Sequence, residues 1–385
     1  MPRLTGQYRI ISTLGEEVRA FVPYPLPPAD PPLVMDSPTA ELHTAALTAL
    51  SRLGVACSMV PSTDWFIYGF VRKEAVITSQ IEGTQATLRD ILTFEGTEQT
   101  DRPADVQEVC NYVDALTHAR GQLADPKGLP LSNRLLCDTH RILMRGVRGE
   151  DKLPGEVRRS QNWIGGSRPG NARFVPPPPE DVPDTLQALE RWLHDDDDLP
   201  PLVRAGLAHV QFETIHPFLD GNGRIGRLLI ALLIEHWNLL DEPLLYLSLA
   251  LKREQQEYYA RLAAVRSDGD WEAWVTFFLE CVREAANDGV RVAQALHSLI
   301  GRDRGRVTTH GRSTVAAIRL LDCLPSNPVV TVSKASEVLG LTAPPTRKAI
   351  ELLKRLGVLR EITGKQRDRV YTYHEYMQIL TGDEA

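Results

Sequence analysis

Apolar side chains recur every three to four residues along most of this chain, a spacing that gives an α-helix one buried face. The periodicity begins near Glu41 and continues to about residue 298. It predicts ten helices, at 41–54, 67–82, 84–94, 104–121, 131–145, 184–194, 202–214, 223–237, 249–265 and 271–298. We therefore expect an all-α fold over this part of the chain.

Two stretches interrupt the helical pattern. Residues 1–39 contain repeated prolines and predict an irregular segment packed on the surface. Residues 160–180 combine glycines and apolar residues with a run of four prolines, Pro176–Pro179. This composition predicts two short strands around a glycine-rich turn, which is a small β-hairpin beside the helices.

The composition changes from about residue 299. Residues 301–306 are basic and contain two glycines, which predicts a flexible link. Three short helical patterns follow, at 313–324, 333–340 and 344–356, and an alternating segment at 358–373 predicts a hairpin. Three helices followed by a basic hairpin are typical of a winged helix-turn-helix domain.

These changes divide the 385-residue chain into three predicted parts. The first is an N-terminal region, 1–100, and the second is a helical core, 101–298. The third is the winged-helix domain, 299–385. Each part is long enough to bury some apolar surface of its own.

Charge is spread unevenly between these parts. The chain is 43% hydrophobic and 24% charged, which is ordinary for a soluble globular protein. Its net charge is −7, but residues 301–385 alone carry +5, so the remainder carries −12. A basic end on an acidic body indicates an anionic partner for that end, for which DNA is a candidate. The alternative is a small helical docking module that binds protein or dimerises.

The five cysteines show no paired spacing. Without a CxxC pair or a metal-ligand cluster, they predict reduced thiols and a cytoplasmic protein. The N-terminus lacks the basic and apolar regions of a signal peptide, and no apolar run reaches the length of a bilayer span. We therefore expect no membrane partner.

The most informative segment is residues 216–227, which read His-Pro-Phe-Leu-Asp-Gly-Asn-Gly-Arg-Ile-Gly-Arg. The apolar run 228–234 follows at once, so the segment is expected to enter the N-terminus of a buried helix. That end of a helix has unpaired N–H groups and a partial positive charge, which favour a phosphate. Glycines allow the backbone to approach such an anion closely.

Other interpretations of the glycines fit less well. Gly221, Gly223 and Gly226 match G-x-G-x-x-G, but a dinucleotide site needs a strand before the motif, and a helix precedes this one. A P-loop needs Lys and Ser or Thr where this chain has Arg227 and Leu228. A plain helix-joining turn would not need His, Asp, Asn and two arginines together.

Residues 216–227 match the Fic family signature H-x-F-x-[DE]-G-N-G-R-x-x-R at every specified position, and the chain resembles that family over roughly residues 20–298. The resemblance implies a compact helical bundle with a β-hairpin flap, for which the segment 160–178 is the candidate. It implies a protein adenylyltransferase, which transfers AMP from ATP to a hydroxyl group of a target protein. The core 101–298 would then be the catalytic part.

A second motif supports the same resemblance. Thr78-Ser-Gln-Ile-Glu82-Gly83 fits the Fic inhibitory pattern [ST]-x-x-x-E-[GN]. It implies a self-inhibited enzyme in which Glu82, on an N-terminal inhibitory helix, faces Arg227 and takes the place of the ATP γ-phosphate. In some such relatives the glutamate also removes AMP, and relatives often form dimers. AutoAMPylation, deAMPylation and a homodimer are therefore open expectations for this chain.

Each residue of the loop has an expected role. His216 is the candidate general base, because its ordinary pKa near 6.5 suits proton transfer at neutral pH. Asp220 is the natural Mg²⁺ ligand, since Mg²⁺ takes oxygen donors and keeps phosphates and water as the rest. The nucleotide-binding set is Gly221, Asn222, Gly223, Arg224 and Arg227. Arginine can grip phosphate oxygens with two donors at once, and the family assigns Arg227 to the γ-phosphate.

The flap is expected to bind the target by strand addition, through Ile164, Gly165, Gly166 and Val175. Ile164 and Val175 are the candidates to clamp the target segment. Tyr258 and Tyr259 contact the adenine or are packing residues, and the sequence does not separate these alternatives. Phe218 is expected to anchor the loop, and His209 to be a core residue.

Two further functions stay open. In one, the protein is a transcription regulator whose tail binds DNA and whose Fic portion senses nucleotide. In the other, a Fic enzyme transfers a different group, such as phosphate. The intact signature favours AMP transfer over both.

Overall fold

The computed structural model describes residues 3–58, 64–309 and 314–382. The α-helices in these ranges are α1 Ser37–Ser58, α2 Asp64–Ile81, α3 Leu88–Thr97, α4 Pro103–Ala124, α5 Asn133–Leu143, α6 Val182–His194, α7 Pro201–Ile215, α8 Asn222–His236, α9 Ser248–Arg253, α10 Gln255–Asp268, α11 Trp271–Thr308, α12 Thr314–Cys323, α13 Val332–Leu339, α14 Ala343–Arg355 and α15 His374–Thr381. The strands are β1 Gly6–Thr13, β2 Glu16–Pro23, β3 Val329–Thr331, β4 Leu359–Glu361 and β5 Val370–Tyr373. The predominantly helical fold predicted from the periodicity is confirmed.

Helices α7 and α8 form the centre of the core. Nearly every side chain of α7 is buried, and so is the apolar run Leu228–Ile234 of α8. A helix that is apolar on all sides must be covered on all sides. Around this pair, α6, α4 and α11 pack as neighbours, and α1 lies along α11. The loop between α7 and α8 is therefore held at both ends by the most deeply buried helices.

The N-terminal segment is a β-hairpin, so the expectation of an irregular lead-in over residues 1–39 is wrong. Strand β1 pairs with β2 in antiparallel register, with Tyr8 opposite Phe21. The turn residues Leu14 and Gly15 both have positive φ, at 50° and 78°, which matches the twist of a tight hairpin. The prolines that suggested irregularity begin only at Pro23, where β2 ends.

The segment 160–180 is also different from its prediction. It forms one antiparallel bridge between Ile164 and Phe174 instead of two strands. A 3₁₀ turn, Pro169–Asn171, lies between them. Prolines have no N–H for a ladder, so Pro169 and Pro176–Pro179 prevent longer strands. The outgoing arm instead pairs with the hairpin, where the N–H of Phe21 donates to the carbonyl of Val175 at 2.9 Å.

Helix boundaries differ at two further places. The predicted helix 249–265 is interrupted at Glu254 into α9 and α10. Helix α11 continues to Thr308, so the expected flexible link at 301–306 is helical. Asp303 explains this helix, because it is buried between Arg302 at 3.0 Å, Arg306 at 3.2 Å and the hydroxyl of Tyr373 at 3.0 Å.

The C-terminal part contains the three expected helices, α12 to α14, and the expected hairpin of β4 and β5. It also contains β3, which makes a three-stranded sheet in the order β3-β5-β4, and the final helix α15. The hydroxyl of Tyr376 in α15 lies 3.2 Å from the carbonyl of Trp65 at the start of α2. Leu380 packs on Gly69, one turn further along α2. The described ranges contain no helix long and apolar enough to cross a membrane.

Candidate active site

The loop between α7 and α8 is shaped by its own side chains. His216 ends α7 in the left-handed conformation, with φ 50°, and its N–H donates to the carbonyl of Phe212 at 2.9 Å. The side chain of Asn222 accepts the N–H of Phe218 and donates to its carbonyl, both at 2.8 Å. Asn222 is therefore a buried brace of the loop, and its amide does not face a phosphate site as we expected.

Two residues outside the signature, His140 and Asn162, support the loop. The ring of His140 stacks on Phe218 with 3.9 Å between centroids. Its Nδ1 accepts the N–H of Gly155 at 2.8 Å, so its Nε2 carries the proton and donates to the carbonyl of Asp220 at 3.0 Å. Burial lowers the pKa of His140 to about 4, which keeps it neutral. Asn162 donates to the carbonyl of Phe218 at 3.0 Å.

Arg158 braces the loop from the flap side. Its Nε donates to the carbonyl of His216 at 2.9 Å, and its guanidinium also donates to the carbonyl of Pro177 at 2.6 Å. Sequence reasoning missed Arg158, His140 and Asn162. They lie 56 to 80 residues from their loop partners, and no local pattern marks them.

The glycines of the loop are required by close contacts. Gly221 has φ 74°, and a side chain there would meet the sulfur of Met144 at 2.8 Å. A side chain at Gly223 would collide with the carboxylate of Glu82. Glycine at this first turn of α8 leaves the helix N-terminus open to an anion.

Arg227 and Glu82 form an ion pair at this helix end, with 2.6 Å between the guanidinium and Oε1. Arg227 also donates to the hydroxyl of Thr78 at 2.6 Å and to its carbonyl at 3.1 Å. Gly83 follows Glu82 with φ 97° and begins the turn that leaves α2. The predicted inhibitory residues therefore meet the end of the signature.

The ion pair dominates the electrostatics of the site. Burial opposes the charge on both partners, but their attraction holds the pKa of Arg227 above its ordinary value. The same attraction holds the pKa of Glu82 below its ordinary value. Both groups are thus charged at neutral pH, and the positive end of α8 is already occupied by an internal carboxylate.

Arg224 and Asp220 lie on the other side of the loop. Arg224 is buried, with its guanidinium 3.3 Å from Glu108 and 4.0 Å from the carboxylate of Asp220. Asp220 is half-exposed, and its Oδ1 accepts the N–H of Gly221 at 2.6 Å. A single accessible carboxylate fits Mg²⁺, which takes its other ligands from water and phosphate. The described residues contain no cluster of three metal-binding side chains.

A cavity of about 630 Å³ opens beside the ion pair. Its walls include Glu82, His216, Gly223, Arg227, Glu213, Tyr259, Leu262, Arg266, Ile164 and Gly165. Tyr258 and Tyr259 both line the cavity. Tyr258 is buried, with its hydroxyl 2.7 Å from Nε2 of buried His209, whereas Tyr259 is half-exposed.

The flap residues divide into two groups. Ile164 and Gly165 line the cavity, and Gly166 follows in the turn. Val175 is buried against Val18 and Ala20 of the N-terminal hairpin, so the expectation that it clamps a target is wrong. Its side chain instead fastens the flap to β2.

Glu213 was also missed by the sequence analysis. It lies one turn before His216 on α7, and its Oε1 is within 2.5 Å of the position that a side chain on Gly226 would occupy. Oε1 is buried and has no hydrogen-bond partner in the described part of the chain. Burial raises the pKa of Glu213 to about 7.

The fold and the loop define a helical protein in which an internal carboxylate pairs with an arginine in the first turns of a buried helix. The sequence model described as "Fic/DOC family N-terminal" matches residues 40–121, and that of the "Fic/DOC family" matches residues 130–234. The chain belongs to the Fic family.

Curated relatives share part of this chain. The protein named "Protein adenylyltransferase Fic" from Drosophila erecta is 33% identical over 152 residues, which is 39% of this chain and 27% of the relative. Its namesake from Drosophila melanogaster is 33% identical over 132 residues, 34% of this chain and 24% of the relative. The chain thus spans about a quarter of the length of these relatives.

Solved structures share the fold. A Fic family protein from Desulfovibrio desulfuricans aligns with a TM-score of 0.56 at 22% identity, over 89% of this chain and 97% of that one. A Fic-domain signaling protein from Bacteroides thetaiotaomicron aligns with a TM-score of 0.53 at 18% identity, over 65% of this chain and 97% of that one. Fic-1 from C. elegans aligns with a TM-score of 0.51 at 20% identity, over 68% of this chain and 74% of that one.

Proposed function

We propose that this chain is a protein adenylyltransferase that carries its own inhibitor. AMP would pass from ATP to a hydroxyl side chain of a target protein. The observation that carries the proposal is the 2.6 Å ion pair between Glu82 and Arg227 at the N-terminus of α8. The relatives named protein adenylyltransferase support the same chemistry.

His216 acts as the general base. It accepts the proton of the target hydroxyl while the hydroxyl oxygen bonds to the α-phosphorus and the bond from that phosphorus to pyrophosphate breaks. Burial, with the positive charge of Arg158, lowers the pKa of His216 to about 4. The imidazole is therefore neutral at physiological pH and has a free lone pair for this proton.

The first turn of α8 binds the phosphates. The backbone N–H groups of Asn222 and Gly223 lie at the helix N-terminus, which leaves such groups free for the phosphates, and the N–H of Gly221 can join them when it releases the carboxylate of Asp220. Arg227 grips the γ-phosphate with two donors, and Arg224 supplies positive charge from beneath the loop. Asp220 would hold Mg²⁺, which would neutralise negative charge on the phosphates.

Glu82 inhibits by occupying Arg227. A γ-phosphate and the carboxylate cannot use the same guanidinium donors, so ATP enters in a pose that leaves its α-phosphorus out of line. Removal of Glu82 frees Arg227 and allows the productive pose. Cleavage of AMP from a modified target by water is a second activity for which Glu82 is the candidate.

The target lies against the flap. Ile164 and Gly165 line the cavity beside His216, where an extended segment can add backbone hydrogen bonds to the flap edge. Because Val175 is used to pin the flap to the hairpin, Ile164 alone is the clamp.

A second function concerns the C-terminal part, which we propose is a winged-helix domain that binds DNA. Its helix α14 exposes Arg347, Lys348, Lys354 and Arg355, and the β4–β5 loop exposes Lys365 and Arg367. Such cations contact DNA phosphates with an affinity that falls steeply with salt. A gel-shift titration of the full chain at 50 and 200 mM salt tests this, and salt-independent or absent binding would refute it.

The experiment that tests the enzyme is labelling with ATP that carries the isotope on its α-phosphate. The full chain is compared as wild type, Glu82→Gly and Glu82→Gly with His216→Ala. We expect far more label on protein in the Glu82→Gly chain than in the other two, and by mass the addition of an AMP moiety. Label from γ-labelled ATP instead would indicate phosphate transfer, and no label from either would refute the proposal.

A further inference from the structure

We propose that Arg158 is a positioning residue for His216: it fixes the backbone of this base and brings a positive charge to the same turn. Arg158 lies outside the signature, and it reaches the loop from the segment that leads into the flap. The inference deepens the proposed function and rests on it for the role of His216.

The contacts of Arg158 join the loop to the flap. The side chain is 1% exposed. It donates to the carbonyls of His216 at 2.9 Å and Pro177 at 2.6 Å, with weaker contacts at 3.4 Å to Ile215 and Ser160. Its own N–H donates to the carbonyl of Pro217 at 2.9 Å. One residue thus ties down three successive carbonyls, 215 to 217, and the flap exit.

The partners of Arg158 are unusual for a buried charge. Buried arginines normally face a carboxylate, because an unpaired buried cation is unfavourable. No carboxylate lies within ion-pair distance of Arg158 in the described ranges, and all its acceptors are neutral carbonyls. Two of them end α7, where unpaired carbonyls carry a partial negative charge that attracts a cation. Arg158 is therefore held by the helix end that presents His216.

This arrangement explains the backbone of His216. A left-handed conformation is unfavourable for a residue with a side chain and needs neighbours that impose it. Arg158 donates hydrogen bonds to the carbonyls of Ile215, His216 and Pro217, and these bonds fix the turn at His216. An uncharged side chain could not do so, because only guanidinium has enough donors for four acceptors.

The charge of Arg158 acts on the imidazole as well. The groups that face His216 are Arg158, Arg266 from α10, Glu82 after α2 and the backbone carbonyl of Glu213 on α7. The two arginines oppose protonation of the ring, and the glutamate and carbonyl favour it. Of the charged groups, Arg158 has the largest effect, and it acts in the same direction as burial, so the pKa of His216 lies at about 4.

The test uses the Glu82→Gly chain as the active parent and adds Arg158→Met, Arg158→Lys or Arg159→Met. Arg159 is the matched control, since it is the next residue, is 80% exposed and pairs only with Glu156 in the described part. Two quantities are measured: kcat and KM for ATP in AMP transfer, and the His216 pKa from NMR titration of its ¹³C-labelled Cε1. A spectrum of His216→Ala identifies the signal.

We expect Arg158→Met to lower kcat about 100-fold, as misplacement of a catalytic group by about 1 Å does, with KM for ATP within about threefold. Its His216 pKa should rise. Arg158→Lys should keep the low His216 pKa because the charge remains, but recover only part of kcat because most of the bonds are lost. Arg159→Met should match the parent in both quantities.

An unchanged kcat and His216 pKa in Arg158→Met would overturn the inference. A second result would also overturn it: Arg158→Met and Arg158→Lys lose kcat equally, and the His216 pKa changes in neither variant. That pattern would mean that Arg158 has a purely structural role. If Arg158→Met does not fold, Arg158→Lys decides through its pKa and kcat. The titration needs no catalysis, so a parent without AMP transfer refutes the proposed function while Arg158 is still tested.

Discussion

The carboxylate of Glu82 lies 2.6 Å from the guanidinium of Arg227, although the two residues are separated by 145 positions in the chain. Arg227 is almost fully buried, whereas the side chain of Glu82 is 32% exposed. The carboxylate can therefore leave toward solvent without disturbing the core, but the arginine cannot move to follow it.

Replacement of Glu82 by glycine should raise AMP transfer by about 10- to 100-fold, because a charge-assisted hydrogen bond of about 1.5–3 kcal/mol no longer competes with the γ-phosphate. Glu82→Gln keeps the size and removes the charge, so it should give an intermediate rise. Incorporation of labelled AMP measures both. Equal labelling by the wild type and both variants would contradict inhibition by Glu82.

Replacement of His216 by alanine in the Glu82→Gly chain should lower the transfer rate by about 10²- to 10⁴-fold. ATP binding should be unchanged, which equilibrium titration with an ATP analogue measures. Since the base works only when neutral and its pKa is lowered to about 4, kcat/KM should fall as the pH drops toward 4. A fall centred near pH 6.5 would mean that His216 is not shifted as the structure indicates.

Replacement of Asn222 by alanine should lower the free energy of unfolding by about 1–3 kcal/mol, because the N–H of buried Phe218 loses its partner and the carbonyl of Phe218 keeps only Asn162. Urea denaturation at neutral pH measures this. Leu219 is part of the same loop but makes no such bonds, so Leu219→Ala serves as the control. Full stability of Asn222→Ala with a raised KM for ATP would instead restore the phosphate role expected from the sequence.

Glu213 should make stability depend on pH. Its pKa is raised to about 7 in the folded protein, whereas an unfolded glutamate titrates near 4.5. The folded state therefore holds this proton more tightly, and stability is lost as the pH rises from about 4.5 to 7. Glu213→Gln removes the effect and should gain about 1–2 kcal/mol relative to the wild type between pH 5 and pH 8. Parallel urea curves at the two pH values test this, and a constant difference would rule it out.

Replacement of Asp220 by asparagine should weaken the response to Mg²⁺, because a carboxylate is a stronger ligand for a hard cation than an amide. In the Glu82→Gly chain we expect the Mg²⁺ concentration for half-maximal transfer to rise about tenfold or more. Asp151, an exposed acidic residue elsewhere in the chain, is the control as Asp151→Asn. An identical Mg²⁺ titration for Asp220→Asn would exclude this ligand.

Helices were readable from the sequence because their apolar spacing is local. The positions of α7 and α8 follow directly from it, as does the loop between them. The N-terminal β-hairpin could not be predicted from the sequence, because Leu14-Gly15 is a weak turn signal and neighbouring prolines masked the alternation of β1 and β2. Helix α11 continues through Gly301 and Gly305 because Asp303 and its partners, of which Tyr373 is distant in sequence, stabilise it.

The chemistry of the loop was readable for the same reason, since His216 to Arg227 are contiguous. The approach of Glu82 to Arg227 was expected only through the family pattern, because no local spacing brings α2 to α8. Arg158 and His140 had no signal at all. Both residues donate hydrogen bonds to backbone carbonyls of a turn that is distant in sequence. Every residue has a backbone carbonyl, so the sequence does not show which carbonyls will accept such bonds.

Helix α2 is continuous, and a different part of the protein is found at each of its ends. Tyr376 and Leu380 of the C-terminal part cover its first turns, and Glu82 follows its last. A shortened protein that ended at Thr308 would expose Trp65 and Gly69, and α2 would then be held at one end only. Removal of the C-terminal part would therefore change how α2 is held. Activity measured on such a fragment would reflect a protein in which the helix that leads to Glu82 has lost the support of its first turns.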